Sequence, residues 1–214
     1  MMAASFNRMP TMKLHTSSGA CSLADHIALH WIGQPFEVRV VAREERKSDA
    51  FLKLNPAGAV PVLEDGGWVL TQNAAILNYL VDRFPESGLG GDGSARGRAD
   101  VNRWLSFFNA DVHPTFHPLF GSTSYLDEAA VQQTKEAARK KLRGYFERVN
   151  AQLDGRDYIS GARSIADPYL FVVTRWAKAM AVDLAGLPHL DAFFARMLAD
   201  DGVRAAMQTE GLSA

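Results

Sequence analysis

The only cysteine in this 214-residue chain stands in Gly19-Ala20-Cys21-Ser22-Leu23. A short apolar segment, Met12 to His15, precedes it, and an amphipathic segment, Ser22 to Trp31, follows. A thiol at the first turn of a helix meets unpaired backbone N–H groups and the positive end of the macrodipole. Both favour thiolate over thiol. The other reading is a cysteine packed as a small hydrophobe, and the local sequence leaves both open. A second candidate is Thr71-Gln72-Asn73, which opens a helix. The N–H groups of that helix's first turn offer a carboxylate site, and capping by Thr71 explains the same residues equally well.

These groups need a scaffold, and the composition bounds it. Apolar residues make up 47% of the chain, enough for a substantial core in one large domain or two small ones. A net charge of −1 advertises no basic surface for nucleic acid. One cysteine excludes an intrachain disulfide framework and suits a reducing, cytoplasmic setting. No apolar run approaches the roughly 20 residues that span a bilayer. Met1 to Thr11 lacks a signal-peptide core and reads as a disordered extension, with Met12 as an alternative start.

Residues 12–85 alternate strand-like and helical patterns. Strands are expected at Met12–Thr16 and Phe36–Val41, and a hairpin at Val60–Glu64 and Trp68–Leu70 around Asp65-Gly66-Gly67. Helices are expected at Ser22–Trp31, at Glu44–Leu54 before Asn55-Pro56, and at Thr71–Phe84 with Thr71 as cap. The order is β-α-β-α-β-β-α. A Gly-rich run, Gly88 to Gly97, reads as an interdomain linker, with its core at residues 86–95. From residue 96 to 214 no strand is evident. Ala99–Asn109, Glu128–Leu153, Leu190–Leu198 and Val203–Met207 read as helices, and Ser164 to Asp167 as a capping box before Tyr169–Val173.

That order, an α/β half followed by an all-α half, resembles the cytosolic glutathione transferases, most closely the bacterial beta class. Several motifs carry the resemblance together from Met12 to about Leu212: Met12-Lys13-Leu14, Gly19-Ala20-Cys21-Ser22-Leu23, His26-Ile27-Ala28-Leu29, Asn55-Pro56-Ala57-Gly58-Ala59-Val60-Pro61 and Ala75-Ile76-Leu77-Asn78-Tyr79-Leu80. Trp104-Leu105, His113, Phe116, Pro118-Leu119-Phe120 and Ile165-Ala166-Asp167 extend it through the second half. The resemblance implies a thioredoxin-like glutathione-binding domain, a helical-bundle domain supplying much of the second-substrate site, and a homodimer.

It also implies a site. Pro61 would follow a cis bond, the usual place for one, exposing the Val60 backbone to an extended peptide by strand addition. An ordinary strand-breaking proline is the alternative. Gln72 and Asn73 would hold the γ-glutamyl end of glutathione. Arg46 would lie near the glycyl carboxylate, although Arg43, Arg46 and Lys47 also fit a solvated helix face. His113 would reach toward Cys21 and the glutathione sulfur, where an imidazole stabilises a thiolate or moves a proton. A structural histidine is the other reading. Ser106 and Asp111 share its segment. Ser22 and the helix-start N–H groups would stabilise the thiolate, and Ser22 is itself a candidate catalytic hydroxyl.

The chain departs from the beta-class pattern at Thr16, Ser18, Gln72 and Pro114, where Tyr, Pro, Glu and a basic residue are usual. Gln72 loses a carboxylate partner for the glutathione ammonium, and Pro114 removes a cation and disturbs its helix. Low activity toward standard electrophiles is one expectation. The reading is conjugation of glutathione thiolate to small hydrophobic electrophiles. Thiol–disulfide exchange through Cys21, or a non-catalytic carrier or interaction role, are alternatives. Phe107, Phe108, Phe116, Phe120 and Trp176 either line the electrophile pocket or form core. His26/His30 and His113/His117 have i,i+4 spacing but lack a third ligand, so no metal is expected.

Overall fold

A computed structural model of the chain describes residues 12–213. Met1 to Thr11, read above as an extension, lie outside the described residues. The first half comprises β1 (Met12–Thr16), α1 (Leu23–Ile32), β2 (Phe36–Val40), α2 (Asp49–Leu54), β3 (Val62–Asp65), β4 (Trp68–Thr71) and α3 (Asn73–Arg83). The sheet runs β2-β1-β3-β4, with β1 parallel to β2 and the other neighbours antiparallel. This is the thioredoxin-like arrangement that the resemblance implies.

Alternation along the strands sends side chains to two different cores. Met12 and Leu14 of β1 and Leu63 of β3 join the main core with α1 and α3, while Val62 faces a smaller cluster with Val41, Phe51 and Val60 under α2. Gly33 ends α1 in the left-handed conformation (φ 75°), which a side chain would disfavour.

Three boundaries differ from the sequence reading. Glu44–Leu54 is not one helix: a single 3₁₀ turn, Glu45–Lys47, precedes α2, because Ser48 turns extended and caps Phe51 N–H. Val60 lies outside the strand, before a cis Val60–Pro61 bond, and β3 starts at Val62. Thr71 ends β4 and does not cap α3. Gln72 occupies the cap position at φ 76° with no side-chain cap bond.

The second half is helical: α4 (Ala95–Ser106), a π turn (Phe107–Val112), α5 (His113–Thr115), α6 (Glu128–Gln152), α7 (Ala166–Ala179), α8 (Pro188–Ala199) and α9 (Asp201–Thr209). Helix α4 starts inside the Gly-rich run, at Ala95, because the Ser94 hydroxyl caps Gly97 N–H. At the start of α7, Asp167 accepts the N–H groups of Ser164 (2.8 Å) and Ile159 (2.9 Å). The cap residue is Ile165, not Ser164, whose hydroxyl instead accepts Ala166 N–H. Helix α1 packs on α7 and α9, so one apolar core runs from Met12 to Met207 through both halves. That shared core holds the β1–α1 loop against the helical half.

Candidate active site

A cleft of about 150 Å³ opens where the halves meet. The first half contributes Cys21, Asn55, Ala57, Ala59, Val60, Pro61, Gln72 and Asn73; the second adds Asn109, His113 and Tyr169. Of the residues singled out from sequence, Cys21, Val60, Pro61, Gln72, Asn73 and His113 therefore share one wall-to-wall space.

Cys21 lies just before the Ser22 cap of α1, one position outside the helix proper. Its thiol donates to the Val60 carbonyl at 3.7 Å, a role that only the protonated form fills. Burial and then the Asp25 charge push the thiol up to about 12, while N–H groups of Ser22 and Cys21 and the Asn73 side chain pull the other way. The helix-start effect anticipated from sequence is present, and desolvation outweighs it. Resting Cys21 is thus a thiol, the second of the two readings that the local sequence left open.

Asn73 ties three pieces together. Its Nδ2 donates to the Cys21 carbonyl (2.7 Å) and to Asp25 Oδ2 (2.9 Å), and its buried Oδ1 has no partner among the described residues. Asp25 is fully buried, and its carboxyl is held well above the usual carboxylate range by desolvation first and the Glu210 charge second. With no side chain capping α3, its first N–H groups remain open beside Gln72 and Asn73. An anionic end of a ligand meets donors there.

His113 lines the opposite wall. Its Nδ1 lies 2.7 Å from the Tyr169 hydroxyl, which is 3.2 Å from Asn109 Oδ1. Burial and then the neighbouring His117 hold the imidazole down at about 4, so the ring is neutral at physiological pH. Trp176 packs edge-on to it, with centroids 4.7 Å apart, and donates its indole N–H to the Gly19 carbonyl at 2.8 Å. Trp176 and the exposed Phe120, 5.1 Å apart, form an aromatic face beside His113. Phe107, Phe108 and Phe116 are core.

Four sequence candidates do not line the cleft. Ser22 is buried, its Oγ 2.8 Å from Thr16 Oγ1 and accepting the Ser17 N–H at 3.3 Å. Arg46 sits in the 3₁₀ turn, where its carbonyl approaches Gly58. Ser106 is exposed, and Asp111 lines a separate groove with Pro114 and Lys141. In an unbroken α-helix Ser106, two turns before His113, would share its face. The i→i+5 turn at Phe107–Val112 slips that register and brings Asn109 round instead. Sequence reasoning missed Asn55, Asn109, Tyr169 and the buried Glu210. For Asn109 the available signal was a hydrogen-bonding group inside an otherwise apolar helical pattern.

The glutathione S-transferase N-terminal domain model matches residues 25–88, and the C-terminal domain model residues 103–201. The curated relative glutathione S-transferase GST-4.5 of Xanthomonas campestris pv. campestris is 59% identical over 204 residues, covering 94% of this chain and 100% of that protein. A sphingomonad glutathione S-transferase solved in complex with glutathione shares 39% identity at a TM-score of 0.83, covering 94% of this chain and 100% of that one. A bacterial beta class glutathione S-transferase of Sphingomonas chungbukensis shares 36% at a TM-score of 0.83 with the same coverage. With both halves matched and the two-part cleft between them, the chain belongs to the glutathione S-transferase family.

Proposed function

We propose that the cleft takes reduced glutathione with its γ-glutamyl end at the start of α3 and its sulfur between Cys21 and His113. The carrying observation is the uncapped α3 terminus, whose Gln72 and Asn73 line one cleft with Cys21 and His113. The free N–H groups suit the γ-glutamyl carboxylate. The Val60 backbone supports the cysteinyl part, as in strand addition.

In this reading the glutathione thiol gives its proton to solvent. The resulting thiolate attacks an electrophilic carbon resting on Trp176 and Phe120. A sulfur–carbon bond forms as the carbon's leaving group departs with its electron pair. His113 and the local N–H groups lower the cost of the thiolate. A Cys21 thiol held near 12 disfavours the thiol-exchange route in the resting protein. The homodimer implied by the resemblance and the cytoplasmic setting read from the single cysteine belong to the same proposal.

The test is calorimetric titration with reduced glutathione of wild type, Cys21→Ser and His113→Ala, followed by conjugation assays with aryl halides and enones. Saturable binding and turnover that fall in His113→Ala support the site. A folded protein that binds no glutathione overturns it. Light scattering on the same samples reads the oligomeric state.

A further inference from the structure

We infer that Asp25 is stored behind Cys21 as a neutral carboxylic acid, and that its neutrality keeps the start of α3 open to the negative groups of a ligand. The second half rests on the glutathione reading above; the first does not.

Asp25, Asp65, Asp167 and Glu210 are the buried acidic side chains among the described residues. Three of them have partners that suit a charge. Asp65 pairs with Arg83 at 2.6 Å. Asp167 accepts Ile159 N–H on one oxygen, and Ser164 N–H and the Ser164 hydroxyl on the other. Glu210 accepts Gly19 N–H and the Thr16 hydroxyl and faces His26. Asp25 is the exception. Its side-chain donor is the neutral Asn73 amide, 2.9 Å from Oδ2, and its buried Oδ1 has no partner among the described residues. A fully buried carboxylate so poorly supplied with donors is costly, and the group keeps its proton instead. Desolvation first, and the Glu210 charge with it, act in that direction, against the weaker pull of its own N–H in the first turn of α1. A protonated Asp25 is also a donor. The bare acceptor on the amide it already meets is Asn73 Oδ1.

The same Asn73 Nδ2 donates to the Cys21 carbonyl at 2.7 Å, so the pair joins the loop before α1 to the first residue of α3. Cys21 and Asn73 line the cleft, and Asp25 does not. A charge on Asp25 would set negative potential where the open α3 N–H groups take the γ-glutamyl carboxylate. It would also oppose ionisation of the Cys21 thiol. The titratable groups around Asp25 are Cys21 ahead of α1, His26 next to it, Tyr169 on α7 and Glu210 at the end of α9. His26 is engaged by Glu210, and the start of α3 presents only the neutral Asn73. Asp25 is thus a positioning residue, which touches no ligand atom. The neutral form favours an anionic ligand, so affinity is full below the Asp25 titration and falls as pH rises through it. By linkage, a bound ligand moves that titration further up.

The experiment is carboxyl-carbon NMR of protein labelled with ¹³C-aspartate, from about pH 5 to about pH 9, with Asp25 assigned by its loss in Asp25→Asn. Calorimetric titration with S-methylglutathione, which has no thiol to ionise, covers the same range for both proteins. The expected result is a protonated Asp25 carboxyl at neutral pH, where the neutral isostere keeps the wild-type affinity. Wild-type affinity then falls by up to about tenfold per pH unit as the carboxyl titrates, while Asp25→Asn shows only the ligand's own titration. A carboxyl still protonated at the end of the range, with both proteins binding alike throughout, also supports the inference. An Asp25 carboxylate resonance at neutral pH overturns it. So does a folded Asp25→Asn protein that binds about tenfold more weakly there, or a wild-type affinity that ignores the Asp25 titration. Should Asp25→Asn not fold, through-bond assignment of the wild-type carboxyls and the wild-type affinity profile decide. Absence of S-methylglutathione binding by wild type overturns the glutathione reading, and the spectrum still decides the charge on Asp25.

Discussion

Glu210 Oε1 sits 2.7 Å from Thr16 Oγ1, although 194 residues separate them. The same carboxylate accepts Gly19 N–H at 3.0 Å and lies 3.0 Å from His26 Nδ1, and the Glu210 carbonyl accepts the Ser18 hydroxyl at 2.6 Å. The end of the helical half thereby fastens the loop that presents Cys21. Thr16, where the beta-class pattern has Tyr, is one of the fastened groups.

Removing that carboxylate strands several buried donors at once. Glu210→Ala is expected to cost about 3–5 kcal/mol, the range for breaking a buried ionic partnership. Glu210→Gln, which keeps the shape and one oxygen, is expected to cost less. Urea denaturation reads both, and amide exchange at Gly19 should accelerate in Glu210→Ala. An alanine variant as stable as wild type would show that the loop is held by something else.

The elements around this clamp were legible, and the clamp itself was not. The short strand pattern of Met12–Thr16, the alternation in Phe36–Val41 and the Asp65-Gly66-Gly67 turn reveal the sheet because each signal is local. Cys21 and Gln72-Asn73 were visible as residues at helix starts, Val60-Pro61 and His113 rested on resemblance, and the fold gathers all of them in one cleft. Glu210 gives no local signal: its partners lie at the other end of the chain. Tyr169 hides in the apolar run Tyr169–Val173, where a hydroxyl reads as core. Ser106 and Asp111 were named because they share the His113 segment, and nothing in Phe107–Val112 announces the i→i+5 turn that sets which of its residues reach the cleft.

The resting Cys21 thiol should be sluggish. Its rise from 9.0 to about 12 comes first from burial and then from Asp25. Alkylation by iodoacetamide at pH 8 is expected to run at least about tenfold slower than for a free thiol, because only thiolate reacts. Asp25→Asn removes the charge that opposes ionisation and should speed the reaction. Rapid wild-type labelling would contradict the buried, Val60-bonded thiol.

His113 sets an acid limit on stability. In the unfolded chain it takes up a proton below about 6.5, and in the folded chain only near 4. Between those values the unfolded state binds more protons, so stability falls as pH drops from 6.5 toward 4 and is fully present above 6.5. Urea midpoints measured across that window should decline in wild type and decline less in His113→Asn. Identical slopes for the two proteins would mean that the imidazole is not desolvated by its surroundings.

Ser22 and His113 make opposite predictions about which group manages the thiolate. The Ser22 hydroxyl is fully buried, packed against Thr16 and bonded by Ser17 N–H, and it does not line the cleft. A group so placed contributes to the fold and cannot touch a bound sulfur. Ser22→Ala is therefore expected to lose about 1 kcal/mol of stability, a typical buried hydrogen bond, while kcat/KM with glutathione stays near wild type. His113→Ala should leave the fold largely intact and lower kcat/KM by about a hundred- to a thousandfold, the loss of one positioned donor in a shielded site. Paired urea melts and initial-rate assays separate the two effects. A Ser22→Ala protein of unchanged stability and collapsed kcat/KM would require the hydroxyl to rotate out of its Thr16 contact into the cleft. It would also move the thiolate-stabilising role from the helical half back to the start of α1.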